Sequence, residues 1–193
     1  MDEDLLRFAD VPKCRRPARI GGFVSRRWSV EESMEIEADV SAVYELLADV
    51  RRLSHWSPGF FAVWAMPGPG RVNKRFLGWQ RRCLLVSLTN CEVSLASPGS
   101  EFAFSVAFFG LPVEVWGYRI SARGNGRSLV TAYWSDLRGG RSACLSERWR
   151  IALTGSRSGL RRQVNRQDLR ETLRRLKLHA ESSGRGSGPS RRP

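Results

Sequence analysis

Apolar residues recur along the chain at two spacings, and the switches between them divide it into elements. Over residues 28–38, Trp28, Val30, Met34 and Ile36 fall between polar neighbours, which predicts a first strand. Asp39 or Ser41 then stands where a helix cap belongs. Behind it Val43, Leu46, Leu47, Val50 and Leu53 recur at helical spacing. Pro58 and Gly59, after His55-Trp56-Ser57, end that helix.

Six strand patterns follow without an intervening helix. FFAVWAM at 60–66 stops at Pro67-Gly68-Pro69-Gly70; RVNKRFLGWQ and LLVSLTNCEVSL come next, closed by Ser97-Pro98-Gly99. EFAFSVAFF sets Phe102, Phe104, Val106 and Phe108 on one face, and VEVWGYRI does the same for Glu114, Trp116, Tyr118 and Ile120. Asn125-Gly126 predicts a tight hairpin turn, because both residues tolerate positive φ, and SLVTAYWSD returns with Val130, Ala132 and Trp134 together.

From about Ser142 the period lengthens. Leu145, Trp149, Ala152, Leu153, Leu160, Val164, Leu169, Leu173, Leu176 and Ala180 trace a helical stripe, which Thr154-Gly155 through Ser158-Gly159 are expected to bend or interrupt. Consecutive strands joined by turns argue for an antiparallel meander. The expected fold is therefore α+β: a curved antiparallel sheet of about seven strands wrapped around a long C-terminal helix. It would occupy residues 28–181, preceded by a flexible basic extension at 1–27 and followed by a disordered tail at 182–193, SSGRGSGPSRRP.

Composition refines this picture in three ways. A length of 193 residues with 41% hydrophobic content suits one domain with a sizeable core. The net charge of +13 suggests a polyanion partner, but seven Lys/Arg against four Asp/Glu lie in the first 27 residues and three more Arg in the tail. In the last helix Arg162, Arg166, Arg170 and Arg174 recur every four residues beside Arg161, Arg175 and Lys177. Opposite an apolar stripe such a face is ordinarily solvated; its functional version would be contact with an anionic membrane surface, and nucleic-acid reading is disfavoured because no aromatic platform shares that face. Cys14, Cys83, Cys91 and Cys144 form no CxxC pair, so neither a metal nor another cofactor is expected. An acidic start, MDEDLLRFAD, and the lack of any apolar run near 20 residues lead to the expectation of a cytoplasmic protein, monomeric or homodimeric.

The element order, together with dispersed residues that mark it, resembles the START-type helix-grip superfamily. It is most similar to the SRPBCC, polyketide cyclase/dehydrase-like branch. The resemblance rests on Ile36-Glu37-Ala38, Asp49, Leu53, Trp56-Ser57-Pro58, Arg75-Phe76, Gly78, Arg81, Cys91-Glu92-Val93, Pro98-Gly99, Phe102-Ala103-Phe104, Trp116, Tyr118, Thr131 and Trp134. Leu153-Thr154-Gly155, Asn165-Arg166, Thr172-Leu173 and Leu176-Lys177 complete it, over residues 30–181. The chain departs from that branch at Gln80, Cys83, Ser87 and Ala132; the last replaces an acid that would have faced the cavity.

The resemblance implies an internal cavity that takes a hydrophobic, aromatic or polycyclic small molecule, in a carrier or sequestering role. Lipid transport and polyketide cyclisation are the activities associated with the family. With the alternation read onto that fold, Phe76, Gln80, Ser87, Thr89, Phe102, Phe104, Trp116, Tyr118 and Trp134 line the cavity, roofed by Trp149 and Leu153. For cyclase chemistry the candidates are Tyr118 as proton donor, Glu114 as base and Arg81 as oxyanion partner. Glu114, near a strand end, is equally compatible with a solvated position.

Overall fold

In the computed structural model, residues 19–20, 23–24, 29–65, 72–82, 85–108, 111–137 and 158–185 are described. Two short strands, β1 (Arg19–Ile20) and β2 (Phe23–Val24), pair with each other. The main sheet is built from β3 (Ser29–Ile36), β4 (Phe60–Ala65), β5 (Arg75–Arg82), β6 (Leu85–Ser97), β7 (Glu101–Phe108), β8 (Leu111–Gly124) and β9 (Arg127–Asp136). Their spatial order is β3-β9-β8-β7-β6-β5-β4, and every pairing is antiparallel. This is the seven-stranded meander that the turn signals predict, with β3 crossing over to pair with the last strand.

The β8–β9 hairpin turns where the sequence requires it, with Asn125 and Gly126 both left-handed at φ 53° and 66°. Gly117 on β8 serves a different purpose. A Cβ there would overlap the Tyr133 ring, which lies across it and donates its hydroxyl to Glu101 at 2.8 Å. Tyr133 thereby seals a small cluster with Ala103 and Val115 on the convex side of the sheet.

Between β3 and β4 the predicted helix is broken in two. α1 (Val40–Ala48) is followed by a 3-10 turn (Val50–Arg52) and a single-turn α2 (Leu53–Trp56). Asp39 occupies the N-cap of α1 but makes no side-chain capping bond, whereas Asp49 accepts the Arg51 N–H at 3.2 Å and so caps the 3-10 turn. Val43, Leu47, Val50, Leu53 and Trp56 are all buried by these elements.

The last helix, α3 (Ser158–Arg185), crosses the β3–β9 side of the sheet. Ser158 and Gly159, expected at a bend, are helical. Its inward stripe is Asn165, Leu169, Thr172, Leu173, Leu176 and Ala180, all buried. Val164, expected on that stripe, is 36% exposed, and Asn165 takes its place. Four contacts fix the direction of α3. Arg166 and Arg170 both reach Glu32 (3.2 and 3.1 Å), Lys177 donates to the Glu35 carbonyl, and Glu181 accepts the Glu37 N–H. The helix therefore runs parallel to β3, and Asn165 sits toward the end of the sheet where Val30 pairs with Trp134.

Candidate functional site

Paired Cα positions in an antiparallel sheet share a face, so the register converts the strands into rows of side chains. One concave row runs Trp134, Trp116, Phe104, Val93. The next runs Asp136, Glu114, Val106, Cys91, Phe76, and beyond it lie Thr89 and Gly78, then Ser87 and Gln80. Phe76, Gln80, Thr89, Phe102, Phe104, Trp116, Tyr118 and Trp134 are buried, and Ser87 is half-buried. Trp149 and Leu153 lie outside the described residues, as does the side chain of Arg81.

The rings make contact with one another. Trp56 meets Tyr118 edge-on at 5.6 Å, and Phe104 is ringed by Phe76 (5.5 Å), Phe60 (6.2 Å) and Phe102 (6.4 Å). This side of the concave face is packed as a core. Toward Asp136 and Asn165 its character changes to polar.

Glu114 is 3% exposed, which overturns the solvated alternative. β8 begins at Leu111, three residues earlier, and Glu114 is flanked by Val106 on one strand and Asp136 on the other. Its carboxylate accepts the Trp134 indole N–H at 2.8 Å. Thr89 is committed internally, donating to the Gly78 carbonyl at 2.9 Å with Cys91 Sγ 3.8 Å away. Burial pushes the Cys91 thiol up to about 12, with Glu114 adding to the rise and the Thr89 hydrogen bond opposing it. Cys91 is therefore a neutral thiol at ordinary pH and no nucleophile. Burial alone drives the Tyr118 phenol far above its ordinary value, so it can donate a proton's hydrogen bond but not serve as a phenolate base.

The structure does not bring the three catalytic candidates to one point. Glu114 and Tyr118 are four residues apart on one strand, about 13 Å at the usual rise, and Arg81 lies three strands from β8, roughly 14 Å along the sheet. Asn165 was not among the expected site residues. It is fully buried, and among the described residues neither its Oδ1 nor its Nδ2 has a hydrogen-bond partner. The indole N–H groups of Trp116 and Trp56 are likewise buried without one. Its position four residues before Leu169, in phase with Leu169, Leu173, Leu176 and Ala180, was the signal that could have found it.

Two open clefts lie at the other end of the sheet, around α1. The larger, about 970 Å³, is bordered by Glu45, Leu46, Asp49, Lys74, Val93 and Ala180; the smaller, about 550 Å³, by Val40, Tyr44, Pro98 and Ala122. No group of acidic, His or Cys side chains among the described residues is arranged to hold a metal ion.

A seven-stranded antiparallel sheet gripping a C-terminal helix, with aromatic rings and a few polar groups on its concave face, defines a START-type helix-grip domain. Residues 27–181 match the family described as polyketide cyclase / dehydrase and lipid transport, and the chain belongs to that family. No curated protein matches it by sequence. Solved structures share the fold. A START superfamily protein from Mycobacterium smegmatis is 11% identical over 80% of this chain and 97% of its own, with a TM-score of 0.61. The Zhui aromatase/cyclase from Streptomyces sp. R1128 is 15% identical over 83% and 98%, at 0.59. The di-domain ARO/CYC StfQ from the steffimycin biosynthetic pathway is 13% identical over 81% of this chain and 51% of its own, at 0.58. At these identities the likeness is one of fold.

Proposed function

We propose that this protein binds a hydrophobic, aromatic or polycyclic small molecule between the concave face of its sheet and α3, and that it acts as a carrier or sequestering protein. The observation that carries this reading is Asn165. A fully buried amide with neither atom partnered among the described residues costs a domain on the order of 1–3 kcal/mol for each unmet group. A ligand with a hydroxyl or carbonyl group would meet that amide, and the Trp116 N–H offers a second donor. The rings of Trp116 and Trp134 supply apolar surface for the rest of the molecule. Binding is favoured over cyclisation because Glu114 and Tyr118 stand too far apart to work on one reacting centre.

Asn165→Leu separates a binding amide from a structural one. On this reading the variant melts at a higher temperature than the parent, because an unsatisfied buried group is replaced by an apolar one of similar size. It also binds a hydroxylated polycyclic ligand about tenfold more weakly, measured by quenching of tryptophan fluorescence. A variant that binds the ligand as tightly as the parent would remove Asn165 from the site.

A further inference from the structure

The convex face near β4 is built unlike the rest of the surface. Trp64 pairs with Leu77, Trp79 pairs with Leu88, and these positions lie opposite the buried Phe76, Gln80 and Thr89. They point outward: Trp64 is 57% exposed, Trp79 41% and Leu88 45%, with Val86 and Phe61 more than half exposed beside them. Two tryptophans, a phenylalanine and two aliphatic residues on adjacent strands make a contiguous apolar surface of a kind that monomeric proteins rarely leave bare.

The two edges of the sheet differ in the same sense. β3, SVEESMEI, carries Glu31, Glu32 and Glu35, the charges that keep an edge strand solvated. β4, FFAVWA, has no charged residue. The basic helix, which the sequence offered as the anionic contact, is meanwhile largely occupied. Glu32 engages Arg166 and Arg170, Glu171 engages Arg174 and Arg175, and Glu181 engages Lys177.

We propose that this convex patch docks the protein on an anionic lipid bilayer, with Trp64, Trp79, Phe61, Val86 and Leu88 entering the headgroup region. Charge selects this occupant over a second copy of the chain. At +13 per chain, two copies repel, whereas an anionic bilayer attracts. Exposed tryptophan suits the same occupant, since its amphipathic ring prefers the membrane–water interface. Apolar insertion and electrostatic attraction are the two signals that together give stable but reversible membrane association.

The test is cosedimentation of the full chain with vesicles of phosphatidylcholine alone and of phosphatidylcholine mixed with phosphatidylglycerol. The expected result is binding to the mixed vesicles with a blue shift of tryptophan emission. It should weaken about tenfold or more in the double variant Trp64→Ser, Trp79→Ser, whose thermal melt should match the parent because both side chains are exposed. Equal sedimentation of parent and variant would overturn the proposal, since charge alone would then account for the association. So would failure of the parent to bind mixed vesicles. A parent that is dimeric by sedimentation equilibrium, with a monomeric double variant, would assign the patch to a second copy and overturn it too.

Discussion

Glu114 and Cys91 show what alternation can and cannot tell about a single residue. Both stand on the concave face that the period of two assigns, but their chemistry depends on what covers them. Glu114 is legible as an inward position from Trp116 and Tyr118; its burial depends on the start of β8 and on two flanking strands, which no local pattern encodes. Cys91 carries a consequence for pH. Its thiol titrates near 9.0 when free and at about 12 in the folded protein. Below pH 9 both states hold the proton and stability is independent of this group. As pH rises from 9 toward 12 the unfolded chain loses its proton first, so stability falls by up to about 1.4 kcal/mol per pH unit. Urea unfolding at a series of pH values above about 9 should show this slope, and Cys91→Ala should flatten it. An equal slope in the variant would place the alkaline sensitivity elsewhere.

At the scale of elements, turn chemistry and periodicity located all seven main strands and the C-terminal helix. Asn125-Gly126 and Ser97-Pro98-Gly99 mark two of the hairpins in which they occur. Bulges were not legible. A register shift between Val93 and Leu95 turns Leu95 to the convex cluster and leaves Ala96 opposite Phe102, an exchange invisible to a strict period of two. The face of α3 was misjudged by one position at Val164 because its inward stripe includes a polar residue, Asn165. What holds α3 in place is that stripe rather than its charges. Leu173→Ala should cost about 2–5 kcal/mol, as deleting a buried leucine usually does. Glu32→Gln should cost less than about 1 kcal/mol, because the arginines it meets are 51% and 63% exposed. Chemical denaturation of the two variants checks the ranking, and a larger loss from Glu32→Gln would make the ion pairs the anchor of the helix.

Across the whole molecule, the two surfaces of one sheet differ in character. The concave face gathers rings and a small set of buried polar groups under α3, while the convex face presents tryptophan to solvent near an uncharged edge. The family and the antiparallel grip around the last helix were legible because they depend on element order, which survives in structures only 11–15% identical to this chain. The candidate site was legible only as a set of facings. Whether a face is filled by its own side chains or by a guest depends on volumes in three dimensions; the helical phase places Asn165 inward, but whether its amide meets a partner depends on the side chains around it. No described helix is long and apolar enough to cross a membrane. The central claim is that the concave face takes an apolar guest. Native mass spectrometry tests it most directly, on the protein as isolated and after incubation with a panel of neutral polycyclic fluorophores. The account predicts a complex with one small molecule per chain that is lost on denaturation. A protein that stays at its bare sequence mass throughout the panel would contradict it, and would make the concave face a filled core.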